Sequence, residues 1–503
     1  MALELAYRTR KQNKSCSVFW IDASSIGGAH HSYTDIARKL KIPGWDNEKA
    51  DVKQIVKLHL SRRDAGQSLL IFDNADSVNL SSNGTSVGRD ASLIDYLPQS
   101  KHCSILLTTT NNDVARTVAS YKIIELQEME QDTAQSMLEQ YLDTLLSRDE
   151  QPKARLLLQE LSHLPLAIVQ AAAYINNTNI MLQDYRIRLS QQAQADLKSI
   201  SDVLDNKLQE YNGKNSIATT LHLSIEQIRH DSPLAAEYLF LAACVDRKDI
   251  LLEFLEAPSS REREDAIRII NSYRLVMRRP AESSLDLHRM VHSALREWIG
   301  KRGMLGEWTE AAITQLCKVF PHDSHGNRSK WRRMLPHAKY ALSHSHRNEE
   351  GTEKMDLVRK CAEALLSDGR YNEAETLFVQ MMETRKRVLG DEHPDTLTSM
   401  ANLASTYRDQ GRWKEAEELQ AIELQICSRV LGDEHPSTLT SMANLAFTLQ
   451  SQGSVSEAVS LLENCCELQT KVLGLKHPDT VSSHQTLTEW RLETIQLEDE
   501  DDG

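Results

Sequence analysis

The chain has 503 residues, which is too long for one hydrophobic core and predicts about two to four domains. Hydrophobic residues make up 40% of it and charged residues 26%, as is usual for globular proteins. The net charge of −14 argues against nucleic-acid binding, and no apolar run approaches the roughly 18 residues of a membrane span. MALELAYRTR lacks a signal-peptide core and the eight cysteines form no CxxC, so we expect a cytoplasmic protein with buried free thiols.

Residues 1–126 alternate between patterns typical of strands and of helices, which favours α/β architecture. A helical pattern covers about residues 33–63, whereas residues 77–100 are rich in Ser, Asn and Gly and predict a mobile loop. Four short apolar runs predict strands of a parallel sheet that is buried on both faces. They are SVFWIDA (17–23), SLLIFD (68–73), SILLTTT (104–110) and KIIEL (122–126).

The middle of the chain, residues 127–345, has a mostly helical pattern. We expect a helical domain at 127–210 and a helical connector at 301–345. In SLDLHRMVHSALREWI (284–299) a short strand precedes an amphipathic helix, and this order favours a winged-helix-like domain at 211–300.

Residues 346–490 contain an internal repeat with a period of 42 residues. LGDEHPDTLTSMANLA (389–404) recurs as LGDEHPSTLTSMANLA (431–446). A fixed period in this range predicts a helical solenoid with two helices in each unit. Evenly spaced glycines would close the first helix, and a His-Pro pair would precede the next unit. We expect the acidic tail, 491–503, to be disordered.

The run SLLIFD ends in Asp73, a carboxylate at the end of a buried strand. Such a group can position Mg²⁺ beside a phosphate, and the alternative is that it caps the following turn. Asn74 follows at the place where an acid would polarise an attacking water. Because an amide cannot accept that proton, we do not expect fast hydrolysis.

Three further features have two interpretations each. Thr108, Thr109 and Thr110 could reach a γ-phosphate, or they are ordinary β-branched strand residues. Pro165 in HLPLAI could break a helix and pack on an adenine ring, or it begins a helix. His288 could donate a hydrogen bond to a phosphate, or it is a satisfied core or surface residue.

Polar side chains of the solenoid could line a groove that binds a peptide. Asn402, Asn444 and Arg408 are the candidates, together with Arg412. Trp413 follows Gly411 directly in the repeat, so we expect its ring to pack between helices instead.

Taken in order, LLIFDNAD, LLTTTN, HLPLAI and LHRMVH resemble the NB-ARC module of STAND-class signalling NTPases of the fungal NLR-like type. The 42-residue units resemble the tetratricopeptide repeats (TPRs) of kinesin light chains. The resemblance implies a multidomain fold in which an α/β domain is followed by α-helical domains. This fold combines a truncated P-loop NTPase-like parallel sheet, a helical and winged-helix-like middle and a C-terminal TPR α-solenoid. It also implies a switch that ADP holds closed and that ATP opens for oligomerisation.

The same resemblance implies a role for each candidate residue. Asp73 would be the Walker B residue that holds Mg²⁺, and 104–110 with Thr109 would be the sensor strand. Pro165 would contact the adenine of ADP or ATP, and His288 would contact the β-phosphate. Two positions depart from the family pattern, since a base follows His288 where an acid is usual and Thr110 replaces the sensor arginine.

The larger departure is the phosphate loop, because no GxxxxGK[ST] occurs in the sequence. By resemblance that loop directly precedes ALELAYRTR (2–10), and the strand ahead of it lies between 104–110 and 122–126. We therefore expect either a shortened form or a degenerate member that kept only the scaffold. Nucleotide binding would be impaired, since the backbone cradle and the lysine carry most of the phosphate affinity.

Three hypotheses of function stay open. The first is a cytoplasmic regulatory STAND-type protein that acts through protein contacts, with at most weak NTPase activity. The second is a TPR adaptor that binds a protein or peptide in its groove and has an inert N-terminal half. The third is an ATPase switch that another chain completes. Self-oligomerisation is a further expectation from the family, whereas nucleic acid and membranes are not expected partners.

Overall fold

A computed structural model describes residues 1–23, 26–45, 51–76, 93–119, 122–126, 128–201, 212–322, 324–345 and 351–501. The chain divides into a first unit, Met1–Gln127, and a second unit, Glu128–Gly503. Within these ranges no helix is long and apolar enough to cross a membrane. The same ranges hold no group of three or more His, Cys, Asp or Glu side chains arranged to bind a metal ion.

The first unit is built around a three-stranded parallel sheet with the strand order β1-β2-β3. Its elements are α1 (Ala2–Gln12), β1 (Ser17–Asp22), α2 (Ile26–Lys39), α3 (Val52–Leu60), β2 (Ser68–Asp73), β3 (Cys103–Leu107) and α4 (Asn112–Ala119). The strands predicted from the first three apolar runs are therefore confirmed, with small differences at their ends.

Strand β2 is the middle strand, and its apolar run is buried on both faces of the sheet. On one face Phe72 belongs to an apolar cluster with Tyr33 of α2. On the other face Ile71 packs with Ala6 of α1. Burial on both faces explains why no charged residue interrupts the run before Asp73.

The prediction of a strand at KIIEL is wrong. Residues 122–126 form no strand, and the side chain of Ile124 is 81% exposed. Among the described strands, β3 pairs only with β2. An apolar run becomes a strand only where a neighbour accepts its backbone hydrogen bonds, and the local pattern cannot supply that neighbour.

The loop predicted at 77–100 is only partly described, since residues 77–92 lie outside the described ranges. The part that is described contains a 3-10 helix, Leu93–Tyr96, so the prediction is wrong there. The carbonyl oxygen of Tyr96 accepts a hydrogen bond of 3.2 Å from the hydroxyl of Tyr33. The apolar residues of this segment pack against the cluster beside β2, which the Ser and Asn content had obscured.

The second unit begins with eight helices and a small antiparallel sheet of order β4-β6-β5. Its helices are α5 (Gln131–Tyr141), α6 (Gln151–Glu160), α7 (Pro165–Thr178), α8 (Leu182–Ser201), α9 (Asn212–Asp231), α10 (Pro233–Ala243), α11 (Ser260–Ser272) and α12 (Arg289–Lys301). The strands are β4 (Ile250–Leu251), β5 (Val276–Arg279) and β6 (Ser284–Leu287). The order of strand and helix predicted at 284–299 is thus confirmed by β6 and α12.

The rest of the second unit is helical, with nine described helices that pack on their sequence neighbours. They are α13 (Leu305–Val319), α14 (Arg328–Ser343), α15 (Thr352–Ser367), α16 (Tyr371–Leu389), α17 (Pro394–Asp409), α18 (Trp413–Leu431), α19 (Pro436–Gln452), α20 (Val455–Val472) and α21 (Pro478–Asp501). From α15 onward they alternate as A helices (α15, α17, α19, α21) and B helices (α16, α18, α20). This is the predicted solenoid, and α13 and α14 also pack against α15.

The repeat follows from local signals at the helix ends. Gly411, two residues after the end of α17, has a φ of +76°, a conformation that residues with a Cβ rarely adopt. Pro394 and Pro436 are the first residues of α17 and α19, where a missing N–H costs no intrahelical bond. All eight cysteines are free, seven of them buried, so the expectation of buried thiols is confirmed.

Candidate functional site

Asp73 and Thr108 meet at the carboxyl ends of strands β2 and β3. Oδ1 of Asp73 accepts a hydrogen bond of 2.7 Å from the Thr108 hydroxyl, and Oδ2 accepts one of 3.4 Å from the amide of Asn74. The backbone N–H of Asn74 in turn donates to the Thr108 hydroxyl oxygen at 3.0 Å. The carboxylate therefore joins the ends of β2 and β3 through Thr108.

Thr109 lies in the same cluster and contacts the residues that follow β2. Its hydroxyl lies 2.9 Å from both the carbonyl oxygen of Ala75 and Oδ1 of Asp76. The backbone N–H of Thr110 donates to the same Asp76 oxygen. The structure thus brings Asp73, Asn74 and Thr109 together, with each side chain engaged by its neighbours.

Pro165 and His288 belong to the second unit. Pro165 is the first residue of α7, and His288 is the N-cap of α12. The Nδ1 atom of His288 accepts a hydrogen bond of 3.2 Å from the backbone N–H of Met290. Since that bond uses the acceptor lone pair of Nδ1, only Nε2 of a neutral ring could donate to another group.

A site for ADP or ATP with Mg²⁺ needs two kinds of group. A phosphate needs a cradle of backbone N–H groups, and Mg²⁺ needs carboxylate oxygens that are free to coordinate it or its waters. In the described part of the first unit, both oxygens of Asp73 already accept hydrogen bonds. Among its described glycines, Gly27 and Gly28 lie in the first turn of α2, the helix that follows β1, whereas Gly44 and Gly66 lie in loops.

Asn402 and Asn444 lie at equivalent positions of successive A helices, 42 residues apart. Both side chains are half-exposed. Within the described residues neither side chain makes a hydrogen bond, and the hydroxyls of Thr406 and Thr448 donate to the backbone carbonyls. The two side-chain amides therefore offer donors and acceptors to a ligand.

A stripe of exposed and half-exposed residues runs along α17 on the side away from its buried contacts. Asp395, Thr398, Asn402, Ser405 and Asp409 form this stripe at helical spacing, and Arg408 lies at its edge. Arg408 has only one charged neighbour among the described residues, the carboxylate of the adjacent residue at 3.9 Å. We call the corresponding stripes of α17, α19 and α21 the A-helix face.

Trp413 is exposed, so the prediction that it packs between helices is wrong. Its side chain is 41% exposed at the first position of α18. The neighbouring Arg412 has its guanidinium 4.3 Å from the ring centroid of Tyr407 and is bonded to Glu375 and Glu415.

The sequence interpretation missed a buried polar pair on α18. Gln420 is 0% exposed and Glu423 is 4% exposed, and three of their four side-chain polar atoms have no hydrogen-bond partner. Burial raises the pKa of Glu423, while a hydrogen bond from Ser441 opposes the shift. The signal was present in the repeat, because the positions 42 residues away hold Phe378 and Leu462, and Met381 and Cys465.

Known proteins are similar to the repeat region of this chain and to most of its length. The tetratricopeptide repeat family model matches residues 357–421 and 402–471. A nucleotide-binding leucine-rich repeat (NLR)-like protein of Hyaloscypha variabilis is 35% identical over 412 residues, which is 80% of this chain. The chain spans 41% of the length of that relative.

Two solved structures are also similar. The kinesin-light-chain TPR-like repeats of Podosopora anserina share 26% identity over 38% of this chain and 89% of theirs, with a TM-score of 0.32. A STAND protein with a tetratricopeptide repeat sensor from Pyrococcus horikoshii shares 11% over 97% of this chain and 76% of its own, with a TM-score of 0.33. Because both TM-scores are low, the sequence matches carry the assignment. They confirm the resemblance: the chain is similar to an NLR-like protein over most of its length and carries tetratricopeptide repeats in its C-terminal part.

Proposed function

We propose that this chain is a regulatory protein that works by binding other polypeptides along the A-helix face of its tetratricopeptide repeats. The observation that carries the proposal is the pair of side-chain amides at Asn402 and Asn444, which are half-exposed and have no partner within the described residues. An amide presents both a donor and an acceptor, so it matches the backbone of an extended peptide.

The spacing of the two amides fits an extended ligand. Helices α17 and α19 are in contact, and packed helices lie about 8–10 Å apart. An extended chain advances about 3.3 Å per residue, so one repeat corresponds to roughly three residues of ligand. Asn402 and Asn444 would then bind backbone groups of one peptide about three residues apart.

The first experiment selects peptides of about twelve residues from a random displayed library on the full chain, and then measures their affinity by fluorescence polarisation. Asn402→Ala and Asn444→Ala should each weaken binding by about 5- to 10-fold, the cost of about one hydrogen bond. Asn372→Ala and Asn464→Ala are matched controls, because these exposed asparagines lie on B helices, and they should change affinity less than about 2-fold. Selected peptides that bind all four variants equally would contradict the proposal.

We further propose that this chain by itself binds nucleotide weakly or not at all. The sequence supports this, because it contains no GxxxxGK[ST] loop to supply the backbone cradle and the lysine that carry most of the phosphate affinity. Calorimetric titration of the full chain with ADP or ATP and Mg²⁺ should show no saturable binding at sub-millimolar nucleotide. A micromolar dissociation constant, or ATP turnover that Asp73→Ala abolishes, would favour a nucleotide switch instead.

A further inference from the structure

The net charge of the chain is concentrated in its repeat region and tail. Residues 351–503 contain 28 Asp and Glu against 14 Lys and Arg, whereas residues 1–350 contain 44 of each. The whole net charge of −14 therefore comes from the C-terminal part that carries the TPRs. A surface of one sign attracts partners of the other sign and speeds their association.

The A-helix face has the same sign. On α17, α19 and α21 the charged side chains of this face within the described residues are four acids, Asp395, Asp409, Asp479 and Glu489, and one base, Arg408. The exposed Arg491 of α21 does not offset them, because it pairs with Glu463 of α20 at 2.6 Å. The proposed ligand surface therefore has an excess of acidic over basic side chains.

Asp409 differs from Asp395 and Asp479, whose carboxylates lie 3.9 and 3.7 Å from the imidazoles of His393 and His477. Its described charged contact is Arg408 at 3.9 Å, beyond hydrogen-bond distance. Partial burial raises the pKa of Asp409, and Arg408 only partly opposes this. A cation placed beside Asp409 would supply the compensation that the chain itself does not provide.

A second place for a cation lies on α19 and α21. Phe447 occupies the same repeat position as Glu489, so the ring and the carboxylate follow each other along the A-helix face. Phe447 is half-buried and packs at its edge against Trp490, with ring centroids 5.4 Å apart. Aromatic faces and carboxylates are both favourable neighbours for Lys or Arg, so each of the two positions suits a basic ligand.

We propose that the ligand of the A-helix face is an extended polypeptide segment rich in Lys and Arg, with basic side chains spaced about three residues apart. This inference rests on the proposed function, because it names the class of partner for the same surface. The basic side chains would meet Asp409 and the pair of Phe447 and Glu489, while Asn402 and Asn444 bind the backbone between them.

The test uses the full chain and three fluorescent peptides of about twelve residues, built from repeated Lys-Ser-Val, Gln-Ser-Val or Glu-Ser-Val triplets. The Lys peptide should bind at least ~10-fold more tightly than the other two at low salt, and its affinity should fall as salt rises. A groove variant combines Asp409→Asn, Asp479→Asn and Glu489→Gln, and should lose about 10-fold in affinity for the Lys peptide. An outer variant with the same change of charge, Glu418→Gln, Glu457→Gln and Glu467→Gln on B helices, should lose less than about 2-fold.

The outcomes separate this inference from the function on which it rests. If the Glu or Gln peptide binds as well as the Lys peptide, and Asn402→Ala and Asn444→Ala weaken that binding, the groove function stands and the basic ligand is wrong. Equal losses in the groove and outer variants would also overturn the basic ligand, because the attraction would then be unspecific. If no peptide binds in a way that depends on Asn402 and Asn444, both proposals fail. Circular dichroism and thermal melting verify that each variant is folded.

Discussion

Oε1 of Glu423 accepts a hydrogen bond of 2.6 Å from the Ser441 hydroxyl inside the TPR core, between helices α18 and α19. The other oxygen, Oε2, has no partner among the described residues. A carboxylate in this position is costly when ionised, because only the Ser441 hydroxyl and, at 3.7 Å, the Cys427 thiol compensate for lost water among the described residues. The repeat is therefore less stable at its second unit than its regular sequence suggests.

Replacing this acid should make the repeat region more stable at neutral pH. The pKa of Glu423 is higher in the folded state than in the unfolded state. The contribution of protonated Glu423 to the free energy of unfolding is therefore complete below the unfolded pKa of about 4.3, and it is lost as the pH rises through the folded pKa. We expect Glu423→Gln to raise the free energy of unfolding by about 1 kcal/mol at pH 7, with the gain disappearing near pH 4. Thermal melting across this pH range is the measurement, with exposed Glu418→Gln as control. An equal gain at both pH values would disprove the titration argument.

Removing Asp368 should loosen the packing of α14 against the first TPR. Its carboxylate is 8% exposed, and Oδ1 accepts hydrogen bonds from the guanidinium groups of both Arg328 and Arg332. Because both cations are partly exposed to water, we expect Asp368→Ala to cost about 1–3 kcal/mol, measured by denaturant unfolding. Asp265→Ala removes an exposed partner of Arg268 and should cost less than about 0.5 kcal/mol. Similar costs for the two variants would show that Asp368 is not a structural anchor.

The Thr108 hydroxyl should matter for the stability of the first unit. Thr108→Val removes its hydrogen bonds to Asp73 and Asn74, which would cost about 1–2 kcal/mol. Thr110→Val is the matched control, since the described contact of Thr110 uses its backbone N–H only. Hydrogen exchange of the β2 and β3 amides measures the local effect. Unchanged exchange in Thr108→Val would mean that the strand ends are held by other contacts.

The exposed apolar segment at 122–126 should favour self-association of the chain. Ile123 is 47% exposed, Ile124 81% and Leu126 63%, and such exposed apolar residues promote aggregation. Replacing both isoleucines by lysine should reduce light scattering of concentrated samples, with the melting temperature unchanged. A clear fall in melting temperature would show instead that these side chains are packed in solution. Leu58→Lys, at an exposed position of α3, is the control for added charge.

The sequence by itself determined the elements whose signals are local. The solenoid could be predicted because each unit repeats the same helix ends, with Gly411 in a left-handed conformation and Pro394 at a helix start. Strand β2 could be predicted because burial on both faces demands an unbroken apolar run. The similarity to an NLR-like protein was equally readable, since it depends on motifs in order along the chain.

Only the tertiary structure decided what each of these residues meets. Asp73 could have bound a metal or capped a turn, and its partner Thr108 lies 35 residues away in the sequence, just after another strand. The run at 122–126 has the composition of a strand but no described strand beside it. Trp413 is of a residue type common in cores but lies exposed. Pairing and burial depend on the groups that lie opposite in space. A local pattern states which partners a residue could accept, and the packing of distant segments determines which one it receives.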